Sequence, residues 1–399
     1  MKQTLAEIDA ADLAGRTVVV RADLNVPLDD GRVTDDQRIR ASLPTLRILI
    51  DAGARVVLLS HLGRPQGPDA SLSLAPVVDR LRELLDHRVA LIPQSNGAEV
   101  AASLASLPDD VVAVLENTRF DPGETKNDPE LAASWAALGD MFVNDAFGTA
   151  HRAHASTAGL ARAMVENGGL AVAGILMARE LRFLEEVLRM PERPFVAIIG
   201  GAKISGKIAV ISALLPRVDR LLIGGAMANT FFRALGLDTG ASLVEEDAIP
   251  TARDLLESGG ERLVLPLDCI VADEMAAGVE TRAVARTEVR GTDKILDIGP
   301  ETRSLFTGMI GRARSILWNG PMGVFEIDEF ARGTMAIAEA VASACDSGAL
   351  GILGGGDSAA AAARAGVTAR LTHVSTGGGA SLELLAGSPL PGVDSLSDR

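Results

Sequence analysis

Short β-branched runs alternate with amphipathic helical stretches along the whole chain, the pattern of βαβ units and a mostly parallel sheet. In the first half, residues 17–20, 55–60, 111–115 and 141–145 read as buried strands. In the second half, residues 195–200, 220–224, 263–265, 315–318, 351–353 and 371–374 do. Parallel strands require a crossover between each pair, so each half is expected to be an α/β unit with helices on both faces of its sheet. At 399 residues the chain exceeds what one hydrophobic core supports, which predicts two lobes. A helical pattern over 175–190, with Met177, Leu181, Leu184 and Leu188 on one stripe and a stop at Pro191 and Pro194, is placed at the junction. The expected division is an amino-terminal lobe over 1–172, a joining helix over 173–190 and a carboxy-terminal lobe over 191–385.

Bulk properties exclude several classes. No stretch approaches the ~18 uninterrupted apolar residues of a membrane span, and the first residues do not form an export signal. Cys269 and Cys345 are far apart with no CxxC or Cys/His grouping, which argues against a disulfide framework or a zinc site and fits a reducing cytoplasm. A formal charge of −15 repels nucleic acid and anionic membranes, so an anionic ligand must find a local basic site.

The second half offers such sites. Gly354-Gly355-Gly356-Asp357-Ser358 follows a strand and opens a helix expected from Ala359, leaving free backbone N–H groups and a partial positive charge at the helix start. Asp357 is placed either to cap that helix or to reach a Mg²⁺ shared with phosphates. Ser375-Thr376-Gly377-Gly378-Gly379 repeats the arrangement. Either turn alone is also an ordinary strand-to-helix connection; the pair suggests a ligand with several phosphates. Gly201 to Ile208 nearly spells GxxxxGK[ST], but Ile208 stands where a magnesium-binding hydroxyl belongs, so it is not a Walker motif. What remains is Lys203 and Lys207, sharing a helix face if Lys203 opens a helix. Only five of the 38 basic residues are lysine, which favours a phosphate-binding role for this pair. Asn319 and Glu326 lie in a third strand-end turn, Trp318 to Glu326, whose Asn-Gly-Pro is first of all turn chemistry.

In the first half Arg21, Asp23, Asn25, His61, Arg64, Arg119 and the segment His151-Arg152-Ala153-His154 all end or closely follow predicted strands, and Arg38 comes after a short polar loop. Open α/β sheets bind ligands at that rim, and arginine's planar fork suits carboxylate and phosphate. His87 and His373 read as structural.

Arg21 to Pro27, Ser60 to Pro65, Leu115 to Phe120, Gly148 to His154, Gly200 to Lys207, Trp318 to Glu326, Gly354 to Ser358 and Ser375 to Leu382, in this order, resemble the motifs of the phosphoglycerate kinase family along essentially the whole chain. The resemblance implies two Rossmann-like lobes, one for 3-phosphoglycerate or 1,3-bisphosphoglycerate and one for Mg-ADP or Mg-ATP, with residues 386–399 returning to the first lobe. It implies that Asp23, Asn25, Arg38, His61, Leu62, Gly63, Arg64, Arg119 and Arg152 bind the acid, and that Lys207, Asn319, Glu326, Gly355, Gly356, Asp357 and Ser358 bind the nucleotide. Arg38, Lys203 and Gly379 would act on the phosphoryl group in transit, and Asp357 would hold magnesium. A cytoplasmic monomer acting on small molecules, without nucleic acid or membrane, is expected. One departure is Ala226, where many members carry glycine. A dinucleotide-dependent dehydrogenase is the rival α/β reading, but no GxGxxG opens a helix with an acidic residue about 20 positions on.

Overall fold

The computed structural model describes residues 2–399, the side chains of 185, 186 and 189 excepted. Met1–Leu181 with Pro389–Arg399 form one unit and Arg182–Ser388 a second, the division falling inside the helix Ile175–Arg189.

The first unit holds a six-stranded sheet in the order Val89–Ile92, Val112–Leu115, Arg55–Leu59, Thr17–Arg21, Met141–Asn144, Leu170–Ala173, every pair parallel. Val18 and Val20 face a core with Leu46, Leu49, Val77 and Leu81 from the helices Gln37–Asp51 and Ala75–Leu85. Val19 between them points the other way and is equally buried, so both faces of the sheet are covered. The chain runs outward from the central strand Thr17–Arg21 on one side, then returns to place Met141–Asn144 on the other. The crossover direction therefore switches between these two strands, where open sheets leave a crevice at their carboxyl ends.

The second unit repeats the plan in the order Leu263–Val264, Arg220–Ile223, Phe195–Ile199, Ser315–Asn319, Leu350–Gly354, His373–Val374, again all parallel. Its switch lies between Phe195–Ile199 and Ser315–Asn319, both buried along their length. One core packs Val196, Ile198, Ile316 and Trp318 against Phe306, Ile310, Ile337 and Val341 of the helices Pro300–Ile310 and Arg332–Asp346.

Three features depart from the sequence expectations. Val89–Ile92 and Leu170–Ala173 are additional strands, and both are edges of the first sheet. Val89–Ile92 is buried only at its two ends, and Leu-Ala-Val-Ala carries little β-branched signal although Ala171, Val172 and Ala173 are buried. A three-stranded antiparallel sheet, Asp268–Ala272 with Arg282–Ala285 and Lys294–Ile298, was also not predicted; its strands begin or break on charged residues, and Arg282–Ala285 is largely exposed. On the helix Ile175–Arg189 the buried stripe is Met177, Glu180, Leu184 and Val187, with Leu181 and Leu188 only partly covered.

The last residues pack within the first unit. Ser397 N–H donates to Ala171 O (2.8 Å), Gly392 N–H to Ala150 O (2.8 Å), and Asn144 Nδ2 to Gly392 O (2.9 Å).

Candidate functional site

In the first unit, the carboxyl ends of three adjacent strands carry a hydrogen-bonded cluster built from the sequence-predicted residues. Asp23, just past Thr17–Arg21, accepts from Arg38 Nη1 at 2.6 Å and from Asn25 N at 3.3 Å. Asn25 Oδ1 in turn accepts from Gly63 N (2.8 Å), and Arg119 Nη1 donates to Gly63 O (2.6 Å). Gly63 is thus gripped on both backbone atoms. Its φ of +62° is the left-handed region glycine adopts freely. Asn117 fastens the same loop by donating from Nδ2 to Leu62 O (2.8 Å) and Leu72 O (2.9 Å), while its Oδ1 accepts from Arg119 N (3.1 Å). Leu62 is buried and its side chain anchors the turn.

The arginines divide by exposure. Arg64 and Arg152 are exposed, Arg38 has 36% of its side chain exposed, and Arg119 is buried with Nε lacking a partner. Arg152 Nε donates to His151 Nε2 at 3.1 Å. Burial and the neighbouring Arg21 and Arg152 charges lower the Arg119 guanidinium to about 10, still cationic at neutral pH. A buried cation with an unused donor is a receptor for an anion.

Arg21 does not reach the rim. It is fully buried, with Nε donating to Ser156 Oγ (2.8 Å) and Nη2 to His61 Nδ1 (3.0 Å). Ser156 is held by Glu124, a fully buried carboxylate that accepts from Ser156 Oγ (2.6 Å) and Ser156 N (2.8 Å). Burial, then the Arg21, Arg119 and Arg38 charges, keep His61 well below the usual histidine range. Burial and the Arg119, Arg21 and Arg152 charges push His154 down to about 4. Both rings are neutral at physiological pH. Glu124, Ser156 and Asn117 were not among the sequence candidates, because nothing in their local sequence distinguishes them from turn residues.

In the second unit the groups converge on the switch point. Lys207 Nζ donates to Gly200 O (2.7 Å), to Asn319 O (3.1 Å) and to Asn319 Oδ1. Asn319 Nδ2 donates to Gly354 O (2.9 Å), and Gly320 N to Ser358 Oγ (2.5 Å), so three neighbouring strand ends are tied together. Burial depresses the Lys207 ammonium to about 8, and Asp357 partly offsets this. Gly320 has φ +99°, and a Cβ there would run into Gly200 O and lie 2.7 Å from Lys207 Nζ. Only glycine lets these backbones approach.

Two expectations are corrected. Lys203 and Lys207 do not share a helix face: the helix is Ile208–Leu214, Lys207 is its N-cap, and Lys203 stands exposed in the preceding loop. That loop is shaped by Glu245, which accepts from Ile204 N (2.5 Å), Ser205 N (3.1 Å) and Ser205 Oγ (2.6 Å). The helix after Gly354 begins at Gly356, not Ala359, with Gly355 as N-cap, which puts Asp357 in its first turn as an exposed carboxylate and not as the cap. Gly379 opens the helix Gly379–Leu385, and Ser375 Oγ meets Ser381 Oγ at 2.6 Å beneath that turn.

A cavity of about 650 Å³ opens beside these turns, lined by Gly201, Gly225, Ala226, Leu243, Leu296, Pro321, Val324, Glu326 and Asp357 among others. Its walls are mainly apolar and Glu326 and Asp357 supply carboxylates, a shape and chemistry suited to a flat ring with a polyol and phosphates attached. Ala226 has φ −63°, ordinary helical backbone that alanine adopts without strain, so the departure from glycine leaves the wall intact. His373 is buried and stacks on Phe183 with centroids 4.7 Å apart.

The comparisons with known proteins point one way. The family model for phosphoglycerate kinase matches residues 8–388. A phosphoglycerate kinase of Chloroflexus aurantiacus is 53% identical over 404 residues, covering 100% of this chain and 99% of its own. One of Rubrobacter xylanophilus is 54% identical over 389 residues, covering 97% of each. Among solved structures, phosphoglycerate kinase from Coxiella burnetii is 40% identical with a TM-score of 0.88, covering 99% of this chain and 98% of that one.

Proposed function

The chain belongs to the phosphoglycerate kinase family, and from that premise we propose how its residues carry the family's reaction. The reaction is reversible transfer of a phosphoryl group between 1,3-bisphosphoglycerate with ADP and 3-phosphoglycerate with ATP, a step of glycolysis and gluconeogenesis. Asp23, Asn25, Arg38, His61, Leu62, Gly63, Arg64, Arg119 and Arg152 hold the acid. Lys207, Asn319, Glu326, Gly355, Gly356, Asp357 and Ser358 hold the nucleotide, Glu326 and Asp357 from the wall of the cavity and the others from the neighbouring strand-end turns.

The observation that supports this most is the absence of a free base in the first cluster. Asp23 is engaged by Arg38 at 2.6 Å, His61 Nδ1 faces a guanidinium at 3.0 Å, burial and the arginines hold His154 down at about 4, and Arg38, Arg64, Arg119 and Arg152 are cations. A hydroxyl nucleophile would need a base here. A carboxylate, which ordinarily titrates near pH ~4, is already ionised and needs only alignment and charge neutralisation. Arg38 from one unit and Lys203 from the other neutralise the phosphoryl oxygens in transit, and the N–H at Gly379 adds a donor.

Magnesium fits the residues present. Among the described residues there is no group of three or more His, Cys, Asp or Glu able to cage a metal, whereas Mg²⁺ bound with a nucleotide uses one or two carboxylates plus phosphate oxygens and water. Asp357, exposed at the cavity edge, is that carboxylate. When bound, the ion would neutralise phosphate charge; Lys207 and the turn N–H groups bind and orient the nucleotide themselves.

Acid and nucleotide on separate units imply a hinge-bending closure that excludes water during transfer. Small-angle scattering with both substrates should show a smaller radius of gyration than with either alone; an unchanged radius would remove the closure step. A cytoplasmic monomer is part of the same proposal, and the free thiols of Cys269 and Cys345 agree with a reducing compartment. The deciding experiment is a steady-state assay with 3-phosphoglycerate and Mg-ATP. ADP release that depends on 3-phosphoglycerate is expected, and its absence would end the assignment.

A further inference from the structure

Arg21 has no solvent exposure, so it cannot itself touch a ligand. Each of its three guanidinium nitrogens nevertheless has a partner. Nη1 donates to Ala22 O, Nε to Ser156 Oγ at 2.8 Å, and Nη2 meets His61 Nδ1 at 3.0 Å. Glu124 braces Ser156 through both its hydroxyl (2.6 Å) and its N–H (2.8 Å) and supplies the buried counter-charge.

Arginine carries five N–H donors and no acceptor, so the atom facing it must hold a lone pair. His61 Nδ1 is therefore unprotonated. The ring's other neighbours are Asp23, whose Oδ1 is 3.9 Å from Nδ1, and the Arg38, Arg119 and His154 side chains. Burial and that positive surrounding keep the ring neutral, which leaves its one proton on Nε2. Among the described residues Nε2 has no hydrogen-bond partner. A backbone carbonyl at Nδ1 would have done the opposite, turning an Nε2 lone pair toward the site and repelling an anion.

We propose that Arg21, anchored by Ser156 and Glu124, is a positioning residue that locks His61 as the Nε2–H tautomer, so that a neutral N–H donor is aimed at an oxygen of the bound phosphoglycerate. The ligand half of this rests on the function proposed above; the tautomer half does not.

The test separates the two. With ¹⁵N-histidine labelling, the chain's five histidines give a tractable long-range ¹H–¹⁵N spectrum, and His61→Gln identifies the signal. The free wild-type protein at neutral pH should show a pyridine-like Nδ1 and a pyrrole-like Nε2 for His61. A pyrrole-like Nδ1, or a doubly protonated ring, overturns the proposal without any variant having to fold. Arg21→Met should mix the tautomers and raise KM for 3-phosphoglycerate roughly tenfold or more while KM for Mg-ATP holds. Ser156→Ala, which keeps Arg21 but loosens it, should fall between. If Arg21→Met keeps the wild-type tautomer and still loses 3-phosphoglycerate affinity, Arg21 is only structural and the positioning role is wrong. If the wild-type spectrum is as expected but 3-phosphoglycerate is not turned over, the substrate assignment fails and the tautomer assignment stands.

Discussion

The two candidate sites handle anions by different physical means. The amino-terminal one is made mainly of side chains: Arg38 is held by Asp23, Arg119 by Gly63 O, and His61 by Arg21, which Ser156 and Glu124 brace from behind. The carboxy-terminal one is made of backbone: glycines at three strand ends pack so closely that Gly320 N, Gly200 O and Gly354 O are fixed by Ser358, Lys207 and Asn319. A small acid with a carboxylate and a phosphate rewards forked, directional cations. A polyphosphate rewards many N–H groups that can come close. The difference teaches where each site is fragile. One should fail through lost charge and orientation, the other through lost backbone approach.

At the step the sites share, the difference should vanish, and this is the largest expected effect. Arg38→Ala and Lys203→Ala, one from each site, should each lower kcat by about 10³ or more with smaller changes in KM, because each removes charge stabilisation in the transition state. Near-normal kcat in either variant would break the symmetry and return that residue to a binding role.

Next comes glycine. Gly320→Ala forces a Cβ against the Gly200 carbonyl oxygen in a φ +99° backbone and should cost on the order of 3 kcal/mol of stability, read from denaturant midpoints, together with nucleotide affinity. Gly63→Ala, in the side-chain site, meets the flexible Leu72 Cδ2 at 2.8 Å and should cost about 1 kcal/mol. Equal losses would erase the distinction between a backbone wall and a yielding one.

Raising pH separates the sites by charge. Lys207 loses its proton as pH passes about 8, so KM for Mg-ATP should rise by roughly tenfold or more across that range. Arg119, at about 10, stays cationic there, so KM for 3-phosphoglycerate should stay flat through it. The stability linkage runs opposite to the binding. Between about 8 and the 10.5 of an ordinary lysine, the unfolded chain keeps the Lys207 proton that the folded chain has released, so this group's contribution to stability increases with pH while nucleotide binding weakens. A pH-independent KM for both substrates would mean that Lys207 stays solvated beside Gly200 and Asn319.

The smallest effect is at Ala226. It has helical backbone at an N-cap position, so Ala226→Gly should shift stability by only a few tenths of a kcal/mol and leave KM for Mg-ATP within about twofold. A larger change would show that the methyl group shapes the cavity wall.

Much of this was legible in advance. The parallel sheets and the strand ends at or after which Arg21, His61, Lys207, Asn319 and Gly354 stand follow from periodicity and turn residues, which are local signals. The edge strands Val89–Ile92 and Leu170–Ala173 escaped because an edge is held by its neighbour more than by its own composition. The antiparallel sheet around Asp268 and Asp297 escaped because its burial comes from packing against the second unit's own helices and loops. Glu245 escaped for a related reason: it shapes the Lys203 loop from 40 residues away.

The sequence by itself determined the chemical types available and the strand ends at which they stand, because both depend on residues near one another along the chain. Only the tertiary structure decided what state those groups are in. That Arg21 is a buried brace and not a ligand, that His61 is neutral with its proton on Nε2, and that Lys207 sits near its titration point all depend on desolvation and on partners as distant as Ser156 from Arg21 and Asn319 from Lys207. Proton affinity is set by the dielectric and charges around an atom, and those exist only once the chain has folded.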